Sequence, residues 1–525
     1  MPDTDLRDYV LEGLCNGFHL KSNPSRLSSA RRNMPSAYQH KEVIDKYLQT
    51  EINRGSIAGP FLSKPFDQFQ ISRFGVIPKS TEGEWRLILD LSYPKGASVN
   101  DGISDSAAHL QYLNLDTVIE KIVEGGRGTL LSKFDVAHAY RNVPINEEDR
   151  PLLGMQWRGK FYVDLTLSFG GRSAPRIFSS VAEVLRFILC QVTKFSSLMN
   201  YLDDFLNITP RYGTHSRQVA GRASSDFGMV LATCQDLGVP VAHRKTVGPT
   251  TLLEFLGIVL DTERFEARLS PKKVHELLQL LSAWIRKKHG TKRELLSVIG
   301  KLTYCCQVVE PGRPFLRRLI NRAYSVNFLH YQVHLNALER EDLRWWNTLL
   351  SDWNGVSLFR WLDWDTPVDF EVGSDAAKSR GLGIIFQQEW VSMASPEHDT
   401  ENMNIAVLEL IPVVIAAQIW GAHWARKRLL FKIDNMAVVQ SINSGLPKDT
   451  HLAFLVRHLA LLSVKFNFSY KAAHVPGKFN IAADALSRFD YRTFRNAMPE
   501  AAESPTTVPV ELLHRLFFQH PVISL

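Results

Sequence analysis

The five residues Tyr201-Leu202-Asp203-Asp204-Phe205 constrain this chain more than any other stretch. They lie between two short apolar or β-branched runs, Phe195 to Asn200 and Leu206 to Thr209, which read as the arms of a β-hairpin. The acidic pair is then expected at the tip. Adjacent residues on a regular strand point to opposite faces, so only a turn brings two neighbouring carboxylates toward one point. Carboxylates so close repel, and ionising both is unfavourable unless a cation such as Mg²⁺ lies between them. A solvated turn would carry the same pair, so the rest of the chain must decide.

With 525 residues the chain exceeds a single core and is expected to form roughly three or four domains. An apolar share of 45% is that of a globular protein. The net charge of +7 and pI near 9.0 suit a polyanionic partner. Five cysteines (Cys15, Cys190, Cys234, Cys305 and Cys306) lack C-x-x-C spacing, which points away from a disulfide framework or a zinc site. The uncharged run Leu410 to Ala425 is short for a bilayer span and reads as a buried helix, and the acidic start, Met1 to Asp8, is unlike a signal peptide. The expectation is a soluble, intracellular protein with no membrane partner.

In chain order, Leu6, Tyr9, Val10, Leu14 and Phe18 have helical spacing and predict a helix that packs on a later domain. A polar linker follows, Lys21 to Arg32. Phe74 to Lys79 and Trp85 to Asp90 alternate around Gly83 and predict a hairpin with Lys79 and Arg86 near its tip, able to grip phosphates. Leu130 to Asp135 is an apolar strand ending in a carboxylate, with Tyr140 five residues on. Phe169-Gly170-Gly171 permits close backbone approach, and Pro175 suits the first turn of a helix reaching Cys190. Beyond Lys245, Leu253 to Leu260 reads as one strand. Ser270, Pro271 and Gly290 punctuate a helix, and Thr291 with Glu294 forms a capping box for the next. Trp345, Trp346, Trp353, Trp361 and Trp364 are expected to pack rather than stack on bases.

From Val368 a second acidic set begins. Asp375 ends one strand, Glu409 lies in an apolar helix with Leu408, Ile411, Ile415 and Ile419 on one face, Asp434 follows another strand, and Asp484 lies on a final helix after His474. Buried carboxylates are unusual unless paired or on a metal, so four in one small domain are informative. Pro412 must either fall in the first turn of its helix or kink it. The segment Arg492 to Pro509 reads as a polar linker, followed by a short amphipathic piece around Leu512 to Phe518.

These elements, in this order, resemble reverse transcriptases joined to a ribonuclease H domain. The finer resemblance is to polymerases of tyrosine-recombinase retrotransposons of the DIRS and Ngaro type, through ISRFGVIPK, WRLILDLS, SVNDGI, RNVPI, EDRPLLGMQWRGKFYVD, TKRELLSVIGKL, PGRPFLRRLI and the leading GFHL. The resemblance implies an α/β and α+β multidomain chain. It comprises an N-terminal helix and linker (1–35), right-hand polymerase fingers and palm (36–265), a helical thumb (266–330), a connection (331–367), a ribonuclease H-like α/β domain (368–490) and a C-terminal tail (491–525).

It further implies that Asp135, Asp203 and Asp204 hold two Mg²⁺, with Mn²⁺ as a substitute, and that Lys245 protonates the leaving group. Tyr140 becomes the steric gate against a ribose 2′-hydroxyl, Phe169 and Gly170 substrate contacts, and Lys79 and Arg86 phosphate ligands. Retroviral polymerases often carry glutamine where this chain has Phe169, and gypsy-like ones accept an aromatic. In the second domain Asp375, Glu409, Asp434 and Asp484 would hold two further metals and His474 assist cleavage. The implied partners are an RNA template, a DNA primer, an RNA–DNA hybrid, deoxynucleoside triphosphates and a tyrosine recombinase encoded separately or downstream. No D-T-G or D-S-G protease motif is seen. The competing reading is a domesticated or decayed copy that binds nucleic acid without catalysis; the attached hydrolase domain argues against telomerase-like and retron-type polymerases.

Overall fold

The computed structural model describes residues 1–23, 32–78, 83–194, 196–211, 216–353, 357–358, 368–378, 380–395, 403–425 and 427–518. By backbone contact the chain divides into two compact units, Met1–Phe255 with Asp261–Phe265, and Leu256–Leu260 with Glu266–Leu525.

The first unit carries two sheets. One has five strands in the order Ile57–Phe61, Lys160–Asp164, Gly154–Trp157, Ile71–Pro78 and Trp85–Asp90. The other has four, Ser197–Tyr201, Asp204–Thr209, Leu130–Asp135 and Val247–Thr250. Phe205 through Thr209 are all buried, because the second strand of this sheet is central and covered by helices. Phe134 and Phe205 stack across it with ring centroids 4.8 Å apart. The helix Ala174–Val192 starts with Pro175 in its first turn, where the missing N–H leaves no bond unmade. The N-terminal helix Thr4–Asn16 packs against it, capped by Asp3.

In the second unit the helix Pro271–Arg286 packs on Ala337–Trp353, and Lys292–Cys305 opens with the full Thr291–Glu294 capping box. Gly290 does not close the first helix, which ends at Arg286; it pairs with Val333 in a short ladder, and a Cβ there would lie 2.6 Å from the Trp284 ring. The expected strand 253–260 is broken in two at Leu256 and Gly257, both at positive φ. Trp345 and Trp346 are buried in packing, while Trp361 and Trp364 lie outside the described residues.

The C-terminal sheet runs Glu389–Ala394, Gly381–Phe386, Phe370–Ala376, Arg428–Ile433, Ser469–His474. Its first three strands are antiparallel; the last two join in parallel. The helix Ile405–Trp420 is buried nearly all round rather than on one face, between the sheet and the helix Thr450–Phe466. The stretch Ile405–Trp424 is long and apolar enough to cross a bilayer, yet most of it is buried inside this domain. Pro412 falls in the helix interior, not its first turn, so the Leu408 carbonyl loses its ordinary donor.

The expected tail is not a free linker. The helix Tyr491–Ala497 buries Phe494 against Trp390, and Trp390 Nε1 donates to Ala502 O at 2.8 Å. Leu512, Leu516 and Phe517 then join the main core of the domain.

Candidate active sites

The first acidic site follows from one tight turn. Tyr201 pairs with Asp204, leaving Leu202 and Asp203 as a two-residue hairpin loop. Such loops need positive φ at their first central residue to match strand twist, and Leu202 adopts φ +52°. A leucine held there stores roughly 1–2 kcal/mol of strain. Asp203 therefore lies on the turn, whereas Asp204 is already the first residue of the returning strand rather than part of the tip. Phe195, expected in the first arm, lies outside the described residues.

Asp135 is the cross-strand neighbour of Asp204, and the adjoining Val136 N–H donates to Asp203 O at 3.0 Å. Three carboxylates from two distant segments thus meet at one end of the sheet. Asp135 is only 3% exposed. Burial, then a hydrogen bond to Asp135, then the charges of Asp135 and Asp203, push the Asp204 carboxyl up to about 7. Asp203 is raised as well, chiefly by burial. Lys245 reaches the group from a short 3₁₀ turn, its Nζ 2.5 Å from Asp135 Oδ2, and that bond raises the ammonium's pKa. Carboxylates made expensive to ionise, with a cation already drawn to one of them, are the donor set a divalent metal satisfies.

Tyr140 follows a strained passage in which His138 and Ala139 both take positive φ. Its ring lies 5.1 Å from Phe169 and 5.4 Å from Phe178, and burial pushes its hydroxyl up to about 12. Phe169 is 56% exposed, and Gly170 turns at φ +99° with Leu89 O 3.1 Å from where a Cβ would stand. Arg86 is exposed on its strand opposite Ile77 and is not joined to the carboxylates; Lys79 lies outside the described residues. A cleft of about 570 Å³ abuts the turn, with Tyr201 and Leu202 in its wall and Tyr112 stacked on Tyr201 at 5.2 Å.

One buried network escaped the sequence reading. Arg141, next to Tyr140, donates to Glu51 and to Asp164 at 2.8 Å each, and Ser168 donates to Asp164. All three charged groups are buried. The available signal was Glu51, which continues the apolar stripe Ile44 and Leu48 of its helix.

The second site lies across the C-terminal sheet. Asp375, Glu409 and Asp434 each present a carboxylate oxygen within 4.8 Å of the others. Asp375 lies near the end of its strand and Asp434 follows the neighbouring parallel strand. Glu409 is 5% exposed, and among the described residues no donor reaches its Oε2. Burial, then Asp375 and Asp434, push Glu409 up to about 9. Burial also pushes Asp375 to about 6, against a hydrogen bond from Ser487 Oγ at 2.5 Å. Asp484 stands outside the close triad: its carboxylate accepts from Arg488 at 2.7 Å, though its charge still raises the other three. His474 Nε2 lies 3.1 Å from Asp434 O.

Residues 77–260 match the family model "Reverse transcriptase (RNA-dependent DNA polymerase)". The chain is similar to the retrovirus-related Pol polyproteins of the Drosophila melanogaster transposons opus and gypsy. It is 22% identical to the opus protein over 465 residues, 85% of this chain and 41% of that protein. It is 22% identical to the gypsy protein over 403 residues, 74% and 35% respectively. The chain thus spans about two-fifths or less of these relatives' length. A foamy viral protease-reverse transcriptase bound to double-stranded DNA is 14% identical, with a TM-score of 0.49 over 87% of this chain and 74% of that one. Residues 77–260 thus match a reverse transcriptase domain, within a chain that is similar to retrotransposon Pol polyproteins over most of its length.

Proposed function

We propose that the chain is an RNA-directed DNA polymerase with ribonuclease H activity, the intracellular copying enzyme of a DIRS- or Ngaro-type retrotransposon. The carrying observation is the meeting of Asp135, Asp203 and Asp204 at one sheet end inside the matched reverse transcriptase segment. The phrases SVNDGI, RNVPI and TKRELLSVIGKL support the element type.

Both acidic clusters fit divalent cations: burial raises the proton affinity of Asp203 and Asp204 in one and of Asp375, Glu409 and Asp434 in the other, and Glu409 has an oxygen without a donor among the described residues. Asp135, Asp203 and Asp204 would hold one pair of Mg²⁺ and Asp375, Glu409, Asp434 and Asp484 another, with Mn²⁺ as a substitute. Bound there, the ions activate the attacking oxygen and neutralise phosphate charge. The chain's own groups do the rest. Tyr140, braced by Phe169 and Phe178, fills the space a ribose 2′-hydroxyl needs. Gly170 lets the backbone approach the substrate, and Arg86 and Lys79 grip its phosphates. Lys245, held protonated beside Asp135, supplies the leaving group's proton. His474 assists hybrid cleavage or product release.

The substrates are deoxynucleoside triphosphates with an RNA template and DNA primer, and then the RNA–DNA hybrid; the same element's tyrosine recombinase is a further partner. Primer extension on an RNA template with Mg²⁺, following both DNA growth and template loss, tests this. Both are expected, and both vanish with EDTA. Tight binding with neither reaction would favour the decayed, non-catalytic copy.

A further inference from the structure

The first 23 residues take no part in the chemistry above, yet they are tied to the two loops that shape the nucleotide pocket. Phe18 is buried; its N–H donates to Pro144 O at 2.9 Å and its carbonyl accepts from Asn146 N–H at 3.1 Å. On its other side the 143–146 segment bonds to 165–167, Ile145 N–H to Leu165 O and Leu167 N–H to Val143 O, both at 2.9 Å. Phe18 is therefore the outer ply of a three-ply stack. Its inner plies lead back to Tyr140 and on to Phe169, whose rings meet at 5.1 Å.

Further along, Leu20 N–H donates to Asp149 Oδ2 at 2.7 Å, and Ser22 Oγ donates to Val99 O at 2.6 Å. Asn23 N–H reaches Gly102 O at 2.9 Å. Between those two anchors stands Asn100. Its side-chain amide donates to Gly170 O at 2.9 Å, and its side-chain oxygen accepts from Arg172 N–H at 2.8 Å. Both supports of the Phe169–Gly170 turn are thus held by one N-terminal segment. The contact is fitted: Gly17 has φ +81°, and a Cβ there would stand 2.4 Å from Asn146 N.

We propose that residues 17–23 are a positioning strap that sets the spacing between Tyr140 and the Phe169–Gly170 turn, and so tunes nucleotide selection without touching the nucleotide. This rests on the polymerase reading. The test is single-nucleotide primer extension by the full chain carrying Ser22→Ala or Gly17→Ala, with thermal unfolding measured alongside. Ser22→Ala, which deletes one hydrogen bond, is expected to raise the deoxynucleotide KM about fivefold and to weaken discrimination against ribonucleotides. Gly17→Ala should do more of both. If Ser22→Ala, folded by its melting curve, keeps the parental KM and discrimination, the segment is mere scaffold and the proposal is overturned. If the unmutated chain extends no primer, the polymerase reading itself fails and the strap's role falls with it.

Discussion

Replacing Glu409 by glutamine asks whether the second acidic cluster is a desolvated metal cradle. Its carboxyl is pushed up to about 9 by burial and by Asp375 and Asp434, whereas an unfolded chain releases that proton near 4.5. Between those limits the folded protein holds one proton more than the unfolded one. Stability conferred at this position therefore falls as pH rises, by about 1.4 kcal/mol per pH unit. Asp375 and Asp204, pushed to about 6 and about 7, add slopes of the same sign only below those values. From pH 7 to 8.5 Glu409 dominates among these three, and metal-free wild type should lose about 2 kcal/mol relative to Glu409→Gln, which keeps the shape and cannot ionise. The assay is denaturant unfolding in EDTA at half-unit pH steps, followed by tryptophan fluorescence, with and without Mg²⁺. The ion should flatten the wild-type slope, because it replaces the proton, and do less for the variant. A gap between the two proteins that does not change with pH would mean that Glu409 is already ionised in the metal-free fold, and the desolvation argument would be refuted.

Arg141→Met removes the counter-charge from two buried carboxylates, Glu51 and Asp164, and should destabilise the protein by about 3–5 kcal/mol, read as a lowered unfolding midpoint. Tyr140→Ala opens the wall braced by Phe169 and Phe178, so ribonucleotide incorporation in primer extension should rise; unchanged discrimination would remove Tyr140 from the gate.

What the sequence made legible was set by how local the cause is. Adjacent Asp203 and Asp204 between apolar runs announce a turn, and Thr291 with Glu294 announces a helix start, because each signal spans a few residues. The Arg141, Glu51 and Asp164 network was missed because its members come from three separate segments and pair only after folding. Leu202 at positive φ was not readable either: tertiary pairing, not leucine's own preference, imposes that backbone. Polar residues and the prolines Pro499, Pro505 and Pro509 suggested a linker over Arg492 to Pro509, but Phe494 and the Trp390–Ala502 hydrogen bond dock the segment, so burial outweighs punctuation. Gly290 misled in the same way, being small to clear Trp284 rather than to end a helix.

Under the proposed function, two acidic clusters built by separate parts of the chain perform two separable reactions. Asp203→Asn and Asp434→Asn, assayed side by side for DNA synthesis on RNA and for cleavage of a preformed RNA–DNA hybrid, test it most directly. The first variant should lose synthesis and keep cleavage, and the second should do the reverse. Loss of both activities in either well-folded variant would contradict it.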